Sequence, residues 1–501
     1  MVGANKYRIV VKVSLICLAM LFAESTYSFA QRVLTLDSAL NVAMENSPDI
    51  KQTSLDLERS KALLDAQNAA LKSQFRLSIN PFSYSRDRQF NTMFSEWNTT
   101  KTKSSLGSFT VSQPIKATDG TIELTNRFTW RDSYSDYTDQ QVETFDNNLY
   151  LSLTQPIFTY NRTKLETREL ELDLELTMLN FAMQKLSLER QVAQNFFSVY
   201  QSRMSYNISI EELDNQQQSY QIIKNKVDAG LAALEELYQA ELNLANSKST
   251  VQNREVSLQN ALDNFKQLIG IPLDEMVTVD ANVAYEYVAV SLDKALSEAL
   301  KNRMELRQQA INLQNAQFSL IRTAALNEFL GNISLSYGLI GTDEQFGNLY
   351  DAPTKRQSIG ISFEIPLWDW GEKKSRMKAT EVTIEQRKLS IDDEKIAINM
   401  SIRQSYRSLN NLVNQIDIAT QSVRNAELTY DINLERYKNG DLTSMDLNLY
   451  QTQLSERKIS LVQAQIDYKL ALLDLKIQTL WDFENNVPVL PEISPDNVKT
   501  K

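Results

Sequence analysis

LDSAL at Leu36–Leu40 returns as LDKAL at Leu292–Leu296, 256 residues later. At the same offset Asn46 meets Asn302, Ile50 meets Leu306, Gln52 meets Gln308, and LSI at Leu77–Ile79 meets ISL at Ile333–Leu335. Farther on, QPIF at Gln155–Phe158 meets IPLW at Ile365–Trp368 at an offset of 210, which Gly230 and Gly440 keep. The chain therefore reads as a tandem duplication. Its first copy carries the difference between the two offsets, 46 residues, all between Ile79 and Pro156.

Punctuation follows the same plan. Neither Gly nor Pro occurs from Ile157 to Ala229 or from Glu372 to Asn439, and only 12 Gly and 10 Pro occur in 501 residues. Such runs predict very long helices instead of many short elements. Leu165, Leu172, Leu179, Leu186, Ala193 and Tyr200 recur every seven. In the second run Ile384, Ile391 and Ile398 interleave with Ile402, Leu409, Ile416, Val423, Tyr430 and Tyr437. These are coiled-coil seams, and about 70 residues at about 1.5 Å each give roughly 105 Å of helix. Gly230 and Gly440 sit where each long helix reverses into a shorter one, and Leu447, Leu454, Leu461, Tyr468 and Leu475 continue the heptad there.

Between the helices the period falls to two. Leu77–Ser85, Ser108–Ile115, Thr121–Trp130 and Leu149–Phe158 in the first copy, and Asn332–Ile340 and Gln357–Trp368 in the second, alternate polar with apolar or aromatic residues. Segments of about ten residues with this alternation suit an outer-membrane barrel, and equally a soluble sheet. Four of five Trp (Trp97, Trp130, Trp368, Trp370) lie here, as interfacial girdles would require. The turn Lys116–Gly120 is short, and the stretches flanking it read as long loops. An excursion that returns to the helices' side needs an even number of strands, two or four in the first copy and two in the second. Neither total closes a membrane barrel, whose minimum is about eight, so several chains must share one.

The N-terminus reads as a secretory signal at residues 1–30. Lys6, Arg8 and Lys12 precede the apolar run Val13–Ala23, and Ser28-Phe29-Ala30 precedes cleavage. Its removal takes the formal charge from −11 to −13, an acidic balance that predicts no nucleic-acid partner. With no His, and Cys17 as the one cysteine, triads, imidazole-ligated metals, disulfide frameworks and Cys-rich zinc sites are excluded. No catalytic, cofactor-binding or metal-ligating constellation stands out, so the chain reads as no enzyme.

Together these features resemble the TolC-like outer membrane efflux protein family, over essentially the whole mature chain. The resemblance rests on LTLDSALNVAMENSPDIK at Leu34–Lys51, LSLTQPIF at Leu151–Phe158, DAGLAALEEL at Asp228–Leu237 and RYKNGDLTSMDL at Arg436–Leu447. It implies a mainly α fold with a β-barrel part: a homotrimer whose long antiparallel helices form a periplasmic tunnel below a shared transmembrane barrel of twelve strands, four per chain. The implied function is the exit duct of a tripartite efflux pump or type I secretion system. Its implied partners are a periplasmic adaptor, an inner-membrane transporter and outer-membrane lipid. The expected organisation is a first repeat over 31–270 (strands about 75–158), a linker at 271–291, a second repeat over 292–484 (strands about 331–368) and a tail at 485–501. The tips at Gly230 and Gly440 correspond to the periplasmic gate and adaptor-docking site, with Glu236, Tyr437 and Asp446 beside them; Pro156 and Pro366 mark the strand-to-helix junctions. Each has a plainer reading: reversal geometry for the glycines, seam packing for Tyr437, and capping for Asp446 through Thr443-x-x-Asp446. The competing function is a periplasmic coiled-coil scaffold or tether without channel activity.

Overall fold

A computed structural model describes residues 32–281 and 285–489. The expected signal peptide and the last part of the tail lie outside the described residues. In chain order the elements are β1 (Arg32–Leu34), α1 (Leu36–Asn46), α2 (Pro48–Ala70), β2 (Gln74–Asn91), β3 (Glu96–Ile115), β4 (Gly120–Ser135), β5 (Gln140–Ile157), α3 (Arg162–Asp228) and α4 (Leu234–Ile269). They continue with β6 (Val277–Val279), α5 (Leu292–Asn302), α6 (Met304–Ala324), β7 (Leu330–Asp343), β8 (Thr354–Glu364), α7 (Glu372–Asn439), α8 (Ser444–Thr479), β9 (Trp481–Asp482) and β10 (Val487–Pro488).

Helix lengths recur in pairs: α3 and α7 have 67 and 68 residues, α4 and α8 have 36 each, and α1 and α5 have 11 each. Thr35 and Ser291 cap α1 and α5 through their hydroxyls, and each helix buries two alanines, Ala39 and Ala43 in one and Ala295 and Ala299 in the other, 256 apart. Alanine is both the best helix former and small enough for close approach. In space, however, each of two compact units draws on both copies. One combines residues up to Lys51 with Lys185–Ala289 and Ser405–Leu475, and the other Gln52–Gln184 with Val290–Gln404 and the residues from Lys476.

In the first unit, β1 pairs in parallel with β6, so the segment expected as a linker is partly strand. Gly270 ends α4 at φ 72°, and a Cβ there would stand 2.9 Å from the Asn46 carbonyl. The heptad residues Ile416, Tyr430, Tyr437, Leu447, Leu454, Tyr468 and Leu475 are buried.

The second unit holds one six-stranded antiparallel sheet, in the order β2-β3-β4-β5-β7-β8. This corrects the four strands per chain that the family resemblance implies: the first copy supplies four strands and the second two. It also corrects the long loops expected beside Lys116–Gly120. β2 to β5 run 16 to 20 residues each and are joined by four-residue turns. The second copy's last strand stops at Glu364, short of the expected Trp368.

Register divides the sheet into two faces. One row runs Gln74, Ser112, Glu123, Ser152, Ser336, Ser358; the next, pointing the other way, runs Phe75, Val111, Leu124, Leu151, Tyr337, Gln357. On the apolar face Phe75, Leu77, Phe109, Leu151, Ile359 and Phe363 are all exposed. Aromatic rings gather at two levels of the sheet. Phe346 stands edge-on to Phe128 and Phe145 at 5.7 and 5.9 Å, while Phe329 contacts Phe158 and Phe363 at 5.4 Å each. Below the sheet, Arg307 forks onto Glu175 and Arg322 onto Glu169, joining α6 to α3. At the C-terminal end β10 pairs with β9, so the tail begins as strand.

Candidate functional site

Both long helices end in the same device. Gly230 N–H donates to Val227 O at 2.9 Å and Leu231 N–H to Lys226 O at 2.8 Å; Gly440 N–H donates to Tyr437 O at 3.1 Å and Asp441 N–H to Arg436 O at 2.9 Å. This is the Schellman ending, which needs a left-handed residue after the helix, and the glycines have φ of 73° and 92°. A Cβ would find open space at Gly230 and only the Lys226 ammonium, 3.9 Å away, at Gly440. Backbone conformation, not crowding, is what calls for glycine there.

The two tips share one hydrophobic cluster, built on Ile223, Ala240, Tyr430, Tyr437, Leu447 and Leu454. Tyr437 is 1% exposed, and its hydroxyl donates to Ser219 O at 3.1 Å. Burial, helped by the Glu236 carboxylate, pushes its pKa up to about 12. Lys226, a residue that sequence reasoning did not single out, joins tip to tip. Its ammonium donates to Tyr437 O at 2.6 Å and lies 5.2 Å from the Tyr437 ring centroid. A cation at a helix C-terminus meets the partial negative charge of the last carbonyls. The sequence signal was a basic residue four before each tip glycine, Lys226 and Arg436; that Lys226 serves the other helix is a tertiary fact. Above the cluster, Gln216 donates to Asn448 Oδ1 at 2.5 Å and to Gln451 Oε1 at 3.2 Å, and Gln451 donates to Glu212 O at 2.9 Å.

Asp446 is exposed in the first turn of α8. Its N–H donates to Thr443 Oγ1 at 3.2 Å, and the Thr443 hydroxyl donates to Asp446 Oδ2 at 2.7 Å. Glu236, half-buried, occupies the first turn of α4, whose N-cap Ala233 makes no side-chain bond. Pro156 lies near the end of β5, opposite Asn332 of β7 and past the last residue paired with β4. Pro366 follows β8 in the segment that leads to α7. Among the described residues no group of three His, Cys, Asp or Glu side chains could hold a metal, and no helix is long and apolar enough to cross a membrane.

An antiparallel sheet with one exposed apolar face, carried with paired long helices that reverse at glycine, defines a class of outer-membrane channel proteins. The chain belongs to the outer membrane efflux protein family, whose sequence pattern matches residues 39–271 and 295–477. It is 21% identical over 362 residues to outer membrane protein TolC of Salmonella enteritidis, covering 70% of this chain and 72% of that one. It is 22% identical over 273 residues to the cation efflux system protein CusC of Escherichia coli K12, covering 52% and 56%. In fold it is similar to the Campylobacter jejuni CmeC outer membrane channel, with a TM-score of 0.68 at 16% identity over 92% of this chain and 88% of that one. The protein is an outer-membrane efflux channel component that reaches into the periplasm, and is not an enzyme.

Proposed function

We propose that this chain is one of three identical subunits of a passive exit duct, completing an efflux pump or type I secretion system with a periplasmic adaptor and an inner-membrane transporter. The observation that carries this reading is the sheet: an apolar face exposed across six strands belongs in lipid, and six strands are too few to close a membrane barrel alone. A tether with a soluble cap would leave that face in water. Val382, Leu389 and Ile396, every seventh residue of α7, form an exposed apolar stripe that a neighbouring subunit would cover. The tips at Gly230 and Gly440 are then the periplasmic entrance, where Asp446 and Glu236 face the axis or the adaptor. The two repeats, 31–270 and 292–484, each contribute one helical hairpin to the tunnel wall.

The test is mass and conductance together. Detergent-extracted protein should scatter light as a trimer and form discrete channels in a planar bilayer. A monomer that stays soluble without detergent overturns the reading.

A further inference from the structure

The extra 46 residues of the first copy give that copy two complete hairpins, β2–β3 and β4–β5, where the second has one, β7–β8. The two are built alike. Each ends in Gln-Pro-Ile, at Gln113–Ile115 and Gln155–Ile157, and each glutamine amide donates both to the carbonyl of the proline that follows, at 2.8 Å, and to a carbonyl of the preceding segment: Leu71 O at 2.9 Å from Gln113, Thr118 O at 2.7 Å from Gln155. The connection between them, Lys116–Asp119, is tied to the start of α3, where Asn161 donates to Lys116 O at 2.8 Å. All three hairpins therefore start and finish at the helix end of the sheet, and the apolar row through Phe75, Val111 and Leu124 continues into Leu151 and Tyr337 without a break.

Resting on the duct reading, we propose that both first-copy hairpins are barrel wall, and that three copies close an eighteen-stranded barrel through the β2 edge of one subunit and the β8 edge of the next. Six is an even number in an all-antiparallel sheet, so these two edges run in opposite directions and pair antiparallel head to tail. Both edge strands are exposed nearly throughout, which suits a ladder completed by another chain. Pro81, which would break a central strand, sits at a bulge between Asn80 and Ser83 of β2, where β3 makes no pair with it. Diameter grows roughly linearly with strand number, so the pore wall is about 1.5 times as wide as that of a twelve-stranded relative.

Cross-linking between the edges tests this. Within one chain β2 and β8 lie at opposite edges of the sheet, on the order of 20 Å apart, so a bond between them reports a neighbouring copy. Gln74→Cys or Ser78→Cys in β2 is combined with Ser358→Cys or Ser362→Cys in β8, and purified trimer is treated with an oxidant or a flexible bis-maleimide. The expected result is a covalent dimer and trimer ladder on a denaturing gel, absent from the single-cysteine variants and from Glu123→Cys in β4 paired with the same β8 residues. A ladder from Glu123→Cys, or none from β2 while the trimer persists, overturns the eighteen-stranded barrel and leaves the duct reading standing. A parent protein that is not a trimer overturns the duct reading itself. Should the cysteine variants fail to assemble, an axial electron-microscopy view of the parent decides: eighteen strands are expected, and twelve overturns the proposal.

Discussion

Asp119 Oδ1 accepts the backbone N–H of Thr163 at 3.0 Å, so the long helix α3 is capped by a residue 44 positions upstream, in the turn between β3 and β4. The other carboxylate oxygen accepts Arg162 N–H at 3.3 Å, and Asn161 Oδ1 takes Lys164 N–H at 2.7 Å. The second copy does this locally, through Asp369 with the N–H groups of Gly371 and Lys373, which lower the Asp369 pKa. At the 210 offset from Asp369 the first copy has Thr159, and the inserted turn supplies the missing carboxylate.

Asp119→Ala should therefore expose the start of α3. Loss of an N-cap costs about 0.5 to 2 kcal/mol, and amide hydrogen exchange across residues 162–166 should speed up while the middle of α3 is unchanged. Asp119→Asn, which keeps an acceptor and suits the positive φ of 62°, should retain most of the protection. Equal exchange in the parent and Asp119→Ala would show that the cap does nothing.

Lys226→Met should loosen the two tips from each other, because the methionine keeps an apolar stem over Tyr437 but cannot donate to its carbonyl. The expected outcome is longer or more frequent open states in a planar bilayer and faster proteolysis near Gly230 and Gly440. Tyr437→Phe, which removes the bond to Ser219 O, should cost about 0.5 to 1.5 kcal/mol in thermal unfolding. Unchanged gating in Lys226→Met would remove the link from the mechanism.

Asp446 has two roles to separate. As a capping residue its replacement by alanine costs about 0.5 to 2 kcal/mol and leaves conduction alone. As a lining residue in three copies, it sets conductance and block by multivalent cations. We expect Asp446→Ala to relieve cation block with trimer assembly intact, and Asp56→Ala on α2 to change neither; a pure stability loss would reduce Asp446 to a cap.

At the C-terminal end of α8, burial works to raise the Asp482 pKa, but the Asn485 N–H and the Lys476 ammonium outweigh it and bring it down to about 2. A depressed carboxylate stabilises the fold above its unfolded value of 3.8, and that contribution is lost as pH falls toward 2. Exchange in residues 481–489 should therefore rise between pH 4 and pH 2. In Asp482→Asn it should already be raised at neutral pH and show no such step.

The long helices and their reversals were legible in the residues alone. Heptad spacing, runs free of Gly and Pro, and a glycine where φ must be positive are local constraints that each stretch carries by itself. Strand length was not legible, because Glu96–Ser105, the outer half of β3, is almost wholly polar. Its alternation vanishes above the apolar band, and only pairing with Arg131–Ser135 and Arg86–Asn91 makes it strand. Likewise nothing near Lys226 says that its ammonium reaches the Tyr437 carbonyl of another helix, and nothing near Asp119 says that it caps α3. Those bonds join residues 211 and 44 positions apart, and which carbonyl or N–H stands within reach is decided only when the helices and strands come together.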